Sequence, residues 1–377
     1  MHDLIVFGED FGGLPSSTQH LVSRLAHDRK VLWINSIGLR QPSLTTADIK
    51  RAAYKLLGKS KADFQPMAGS NLNPNIKVIT LKTIPAPKSA FACQIAKQMM
   101  LRQLRPILAK EKLSNPILWS SLPTAADLCG ELNEAAVVYY CGDDFDSLAG
   151  VDHHAVHQHE KKLANKADLI FAASENIKAK FPAFKTQLLP HGVDVELFST
   201  PAPRAHDLPK GTRPIAGFYG SLSDWLDYEL ITSLSATLSD WDFVFIGPNE
   251  KSKLALPQRE NVFYLGARAH HLLPQYSQHW DISLLPFKPN PQIQACSPLK
   301  LMEYLAANSP IVASDFPALA RYRSHVHVAN SAEQMACAMR SIQAKNGTGQ
   351  ARETHSLVSQ ESWDNRSQFV HWMLELL

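Results

Sequence analysis

The 377-residue chain has no run of about 18 apolar residues, so no segment of it reads as a helix able to cross a bilayer. Its five cysteines, Cys93, Cys129, Cys141, Cys296 and Cys337, include no C-x-x-C pair. An odd, scattered set argues against a disulfide framework and a structural zinc centre, and for reduced thiols in a cytoplasm. No charged region precedes the first apolar stretch in MHDLIVFGED, which therefore reads as a first strand and not as a secretory leader. No short-period repeat is present, which excludes a solenoid. What remains is a globular chain, 45% apolar and 19% charged, long enough for two domains.

The net charge of +3 is unevenly spread. Residues 50–112 hold 13 Lys or Arg against Asp63 and Glu111, a local +11 that leaves −8 for the rest. Such a cluster suits an anionic membrane surface, or else is a solvated basic face. It lacks the interleaved aromatics that stack bases, which speaks against nucleic acid. Within it, 88–112 reads as a helix mixing Phe91, Ile95, Leu104 and Leu108 with Lys97, Arg102, Arg105 and Lys110. A core helix with basic edges is the default reading, a membrane-surface helix the sharper one.

Short apolar runs alternate with helical patterns. Strands are expected at 3–8, 30–35, 76–81, 116–121, 136–141 and 168–173, and again at 214–221, 242–248, 261–266, 282–287 and 310–315. Runs apolar throughout suit strands buried on both faces, and their alternation with helices suits parallel βαβ units. The expected architecture is α/β, with two Rossmann-like doubly wound domains facing each other across a cleft. Their expected spans are 1–190 and 191–355, with a Pro-rich linker at 199–214. A terminal helix over 356–377 would pack back toward the first domain, burying Phe369, Val370, Trp372, Met373, Leu376 and Leu377 on one face. Ligands of such sheets sit outside the carboxyl ends of the strands.

The stretch CSPLKLMEYLAANSPIVASD, residues 296–315, carries the sharpest signal. Ser297 suits an N-cap and Pro298 the first helical position, with Leu299 following. Lys300 then sits in the first turn, against the helix dipole, where an anionic ligand would justify it. Glu303 lies at i+3 on the same face and could accept hydrogen bonds from ribose hydroxyls. From spacing alone, an ordinary capped helix with a surface Lys–Glu pair is an equal alternative.

This stretch resembles the sugar-nucleotide signature of group 1, family 4-like, glycosyltransferases of the GT-B fold. HGVDVELF at 191–198, GFYGSLSDWLDYELI at 217–231, NVFYLGARAHHLLPQYSQHWDISLLPF at 261–287 and FGGLPSSTQHL at 11–21 resemble further segments of that family. The similarity is greatest to a subgroup serving teichuronic-acid and other surface polysaccharides. It implies a cytoplasmic enzyme, at most peripheral on the membrane. Such an enzyme moves sugar from a UDP- or GDP-linked donor to a glycan or lipid-linked acceptor, with no cofactor or metal. The family often carries a second glutamate eight positions before Glu303. Here that position is Ala295, which leaves retention or inversion open.

Other positions follow from strand ends and from the resemblance. Gly12, Gly13, Ser16, Ser17 and Thr18 would form an acceptor or phosphate loop. Gly220 and Ser221 would border the diphosphate, Arg268 the base and Lys288 the phosphates. Asp144, then Asp143, in CGDDFDSLAG are candidates for the base that takes the acceptor proton. The same segment resembles the D-x-D metal motif, outweighed here by the second α/β pattern. His153 and His157 lack a third ligand in the sequence and read as a polar helix face. A sugar-nucleotide epimerase or a non-catalytic binding module on the same fold are the alternative functions.

Overall fold

Most of the apolar runs become central strands with both faces covered, and those at 76–81 and 261–266 become edge strands. The structure, a computed structural model, describes residues 1–13, 16–37, 73–85, 87, 89–147, 153–344 and 351–377. Two compact units emerge: Met1–Pro190 with Arg366–Leu377, and His191–Asn365. The basic residues Lys50, Arg51, Lys55, Lys59, Lys61 and Lys88 lie outside the described residues.

In the first unit the strands are β1 (Leu4–Phe7), β2 (Val31–Ile34), β3 (Ile76–Ile79), β4 (Ile117–Ser120), β5 (Ala136–Cys141), β6 (Leu169–Ala172) and β7 (Thr186–Leu188). They form one parallel sheet in the order β3-β2-β1-β4-β5-β6-β7. Every residue of β1, β2, β4, β5 and β6 is buried. The order reverses between β1 and β4, which opens a crevice at their carboxyl ends.

The second unit repeats the plan with β8 (Ile215–Tyr219), β9 (Asp242–Ile246), β10 (Val262–Gly266), β11 (Ile282–Leu285), β12 (Ile311–Ala313) and β13 (His327–Val328). Their order is β10-β9-β8-β11-β12-β13, all parallel, with the reversal between β8 and β11. The short edge strands β7 and β13 had no signal in the sequence, being too brief to show a period.

Residues 199–214 are not a free linker. Ala205 and Leu208 are buried within the second unit, and the Ala205 N–H donates to the Gln275 carbonyl at 2.9 Å. The chain's end also departs from expectation. It forms two helices, Ala351–Gln360 and Trp363–Glu375, and only the last residues join the first unit.

The buried face of that last helix is Ser367, Val370 and Leu374, at helical spacing. Trp372, Leu376 and Leu377 are instead 58%, 63% and 39% exposed. The face is set by Arg29, whose fully buried side chain reaches His371 Nδ1 at 2.6 Å and Glu375 at 3.6 Å. A buried guanidinium must be paired, so the helix turns its polar residues toward it. Leu374→Ala should destabilise the first unit by about 2–5 kcal/mol in denaturant titration, as core Leu truncations do.

Candidate functional site

In the second unit the helix Leu299–Ala306 meets the carboxyl end of β8. Tyr304 anchors it, because the Tyr219 backbone N–H donates to the Tyr304 hydroxyl at 3.1 Å. The Tyr219 ring packs edge-on to Tyr304 and stacks on Trp280. The N-terminal residue arrangement is shifted by one from the sequence reading. Pro298, not Ser297, is the N-cap, and no side chain caps the first turn. Ser297 Oγ instead accepts the His191 N–H at 3.3 Å. The first-turn N–H groups therefore keep their partial positive charge available to a ligand.

Lys300 projects from that turn across Gly220. A Cβ at Gly220 would lie 2.0 Å from Lys300 Cε, and the residue's φ of +142° is one that L side chains rarely adopt. Gly247 follows suit, since its Cβ would sit 2.0 Å from the Gly220 carbonyl oxygen. Lys300 Nζ lies 5.1 Å from the Trp225 ring centre and 6.0 Å from that of Phe218. Among the described residues its ammonium makes no hydrogen bond or ion pair. Burial lowers its pKa from the ordinary lysine value, against the opposing charges of Glu303, Cys296 and Glu250. The result is a cation beside aromatic faces and a helix tip, with no carboxylate at ion-pair distance among the described residues.

Glu303 is not an open carboxylate. It is 3% exposed, and its Oε1 meets His270 Nε2 at 2.7 Å. Burial works to lower the His270 pKa, but the hydrogen bond to Glu303 and the charges of Glu303 and Asp194 outweigh it and raise the value. Arg268 is also committed, to Asp207 at 2.6 Å and the Tyr276 hydroxyl at 3.0 Å. It braces the loop after β10 instead of offering a free guanidinium. Ser221, half-buried, follows Gly220, while Lys288 follows β11 and is half-buried with its backbone N–H bonded to the Trp225 carbonyl. Ala295 is 7% exposed, at the end of the short helix Pro291–Ala295.

In the first unit the crevice-side loops hold a different chemistry. Ser16 caps the helix Ser17–Leu25, accepting the Gln19 N–H, and donates to Glu9 Oε2 at 3.0 Å. Gly12 has φ +76° and donates to Gln19 Oε1, and Gly13 turns back onto the Asp10 carbonyl. Thr18 is buried and bonded to Ser121 Oγ at 2.6 Å, so it secures the helix to the end of β4 and is no ligand group. Ser17 stays half-buried and neighbours the buried Tyr140 hydroxyl.

Asp144 is committed as well. Its carboxylate takes Lys180 at 2.6 Å and Ser147 at 2.7 Å, and Asp146 takes the same ammonium at 2.8 Å. The structure thus places the first candidate base in an ion pair and a hydrogen bond, not as an open carboxylate. Asp143, exposed, has no such clamp; crowding by protein and then the Asp144 charge raise its pKa. Glu9, missed in the sequence, is half-buried at the end of β1. Burial first, and the Asp143 and Asp10 charges after it, lift its carboxyl above the usual range against its hydrogen bonds. Its signal was an acid directly after the first strand. Trp225 and His270 were missed too, each lying in a loop after a strand.

Residues 213–345 match the family model for glycosyl transferases group 1. That stretch is similar to a group 1 glycosyltransferase domain. The matched stretch contains β8, Gly220, Gly247, Lys300 and Glu303. A protein of Bacillus subtilis (strain 168) named for teichuronic acid biosynthesis, TuaH, is 28% identical over 224 residues. The match covers 54% of this chain and 56% of that relative, so the chain spans about half of the relative's length. Anabaena Alr3699/HepE in complex with UDP-glucose superposes with a TM-score of 0.69 at 15% identity, covering 100% of both chains. Sucrose-phosphate synthase of Thermosynechococcus elongatus gives 0.68 at 14%, covering 100% of this chain and 99% of that one. These likenesses are of fold, and the paired α/β architecture is GT-B.

The raised pKa of His270 has a stability consequence. Its contribution is fully present below the unfolded-state value of about 6.5 and is lost as pH rises through the higher folded-state value. Wild type should therefore lose stability relative to His270→Gln as pH is raised from about 6 to 8, measured by denaturant midpoints.

Proposed function

We propose that the protein is a glycosyltransferase that moves a sugar from a nucleoside-diphosphate sugar to a glycan or lipid-linked acceptor in surface-polysaccharide synthesis. The observation that carries this is the Lys300 ammonium, without a carboxylate partner among the described residues, beside an uncapped helix N-terminus. A diphosphate supplies the missing negative charge. As the sugar–phosphate bond breaks, charge grows on the leaving diphosphate, and the ammonium and N–H groups stabilise it without reorganising. On this reading no resident cofactor is needed. Gly220 and Ser221 border the diphosphate, and Lys288 lies at the neighbouring strand end. Glu303, oriented by His270, offers its remaining oxygen to ribose. UDP-linked donors are the first to test, given the UDP-glucose in the HepE complex.

On the acceptor side, Glu9 takes the place first given to Asp144, with Asp143 beside it. A carboxyl whose pKa is raised can hold or release a proton nearer neutrality. Gly12, Gly13 and Ser16 shape the loop that carries Glu9.

Contact with an anionic membrane surface belongs to the same proposal. Among the described residues no helix is long and apolar enough to span a bilayer. The helix Ala90–Glu111 buries Ala96, Met100, Leu101 and Leu104, yet Phe91, Ile95 and Met99 are 76%, 37% and 36% exposed. These recur every fourth residue on one face, near Arg102 and Arg105, which suits an interfacial helix on anionic lipid. Phe91→Ser with Ile95→Ser should abolish co-sedimentation with anionic vesicles at low salt; unchanged binding would discard this part.

The central test compares ligand-induced melting shifts with turnover. A ligand at 100 times its Kd stabilises by about 2.7 kcal/mol. Lys300→Met should not lower the ligand-free Tm, since it removes a desolvated charge, but should lose the UDP and UDP-sugar shift. Glu9→Gln should keep that shift and lose about 100-fold or more in transfer. Wild-type-like shifts in Lys300→Met would refute the donor site.

A further inference from the structure

Away from the donor site, three side chains from separate elements of the first unit converge. Cys93 lies in the first turn of the helix Ala90–Glu111, Asp127 follows β4, and His159 lies on the helix His153–Lys166. Their ligand atoms all lie within 4.8 Å of one another. His159 is 6% exposed, and its Nδ1 has no hydrogen-bond partner among the described residues. A buried, unpartnered ring nitrogen costs free energy unless something binds it.

The surroundings set which atoms are available. His159 Nε2 lies 3.2 Å from the Pro87 carbonyl, so the N–H belongs on Nε2 and the lone pair on Nδ1. That is the arrangement metal-binding imidazoles use, with the outer N–H held by a carbonyl. Nδ1 faces Asp127 Oδ2 at 3.9 Å, while Asp127 Oδ1 is held by Lys162 at 3.2 Å. Cys93 Sγ is half-buried and makes a weak contact with the same Pro87 carbonyl at 3.5 Å.

We propose that Cys93, Asp127 and His159 bind a divalent zinc-type cation through thiolate, carboxylate and imidazole nitrogen. Sulfur, nitrogen and oxygen donors suit Zn²⁺, which takes four ligands tetrahedrally, leaving one position for water. Bonds of about 2.0–2.3 Å hold one sulfur and two N or O ligands about 3.3–3.6 Å apart at tetrahedral angles, so the cluster closes by small side-chain adjustments. Binding replaces the Cys93 S–H bond with an S–Zn bond and releases the proton to solvent. The thiolate and carboxylate together balance the cation's charge. The ion would tie the helix Ala90–Glu111, with its exposed apolar face, to the helix His153–Lys166. Nothing in residue order marks this site, because the ligands come 34 and 32 positions apart, outside any metal-motif spacing.

The test uses the full chain, reduced and stripped with chelator, then titrated with Zn²⁺ against a chromophoric competitor and separately with Co²⁺. One equivalent should bind, with a sulfur-to-cobalt charge-transfer band and the visible bands of tetrahedral Co²⁺. Cys93→Ser should abolish the charge-transfer band and weaken binding about tenfold or more. His159→Gln should weaken binding similarly, while Cys337→Ser, an exposed thiol elsewhere, should leave it unchanged. No tight equivalent in wild type, or equal uptake and the same band in Cys93→Ser, would overturn the proposal and leave only a thiol–imidazole contact. Because the readout is metal binding, failure here leaves the donor-site reading standing.

Discussion

The Lys300 ammonium crossing the bare backbone of Gly220 is the contact on which the second unit's chemistry depends. It requires a glycine at φ +142°, a second glycine behind it, and a helix pinned to β8 through Tyr304. Each of these features costs something alone: glycine backbone entropy, a cation removed from water, a helix start without a cap. Together they concentrate positive potential at the strand ends, beside the reversal of strand order.

The carboxylates follow a complementary rule. Those expected to be open are spoken for: Glu303 by His270, and Asp144 with Asp146 by Lys180. The ones left with perturbed affinity for protons, Glu9 and Asp143, face no cation at bonding distance among the described residues. Ion pairing holds a carboxylate ionised, whereas burial without a cation favours its protonated form. The first unit thus holds Asp144 and Asp146 on Lys180 and leaves Glu9 and Asp143 without a cation at bonding distance among the described residues.

Much was legible from residue order. The strands of both sheets other than β7 and β13 were legible as apolar-rich runs; the central ones are apolar because both faces are buried, while the edge strands β3 and β10 are only partly covered. Lys300 stood out because a lysine in a first helical turn opposes the dipole. Arg268, Thr18 and Asp144 each have a side-chain partner that residue order did not show. Their partners, Asp207, Ser121 and Lys180, lie 61, 103 and 36 positions away, and nothing local marks them.

The sequence by itself determined the alternation of strands and helices, the placement of loops at strand ends, and the helix that begins with a lysine. These depend on periodicity and on neighbours within one turn, which residue order specifies directly. Only the tertiary structure decided which charges are free, because pairing is a contact between segments that folding brings together. It gave His270 to Glu303, tied Asp144 to Lys180, turned the last helix toward Arg29, and gathered Cys93, Asp127 and His159.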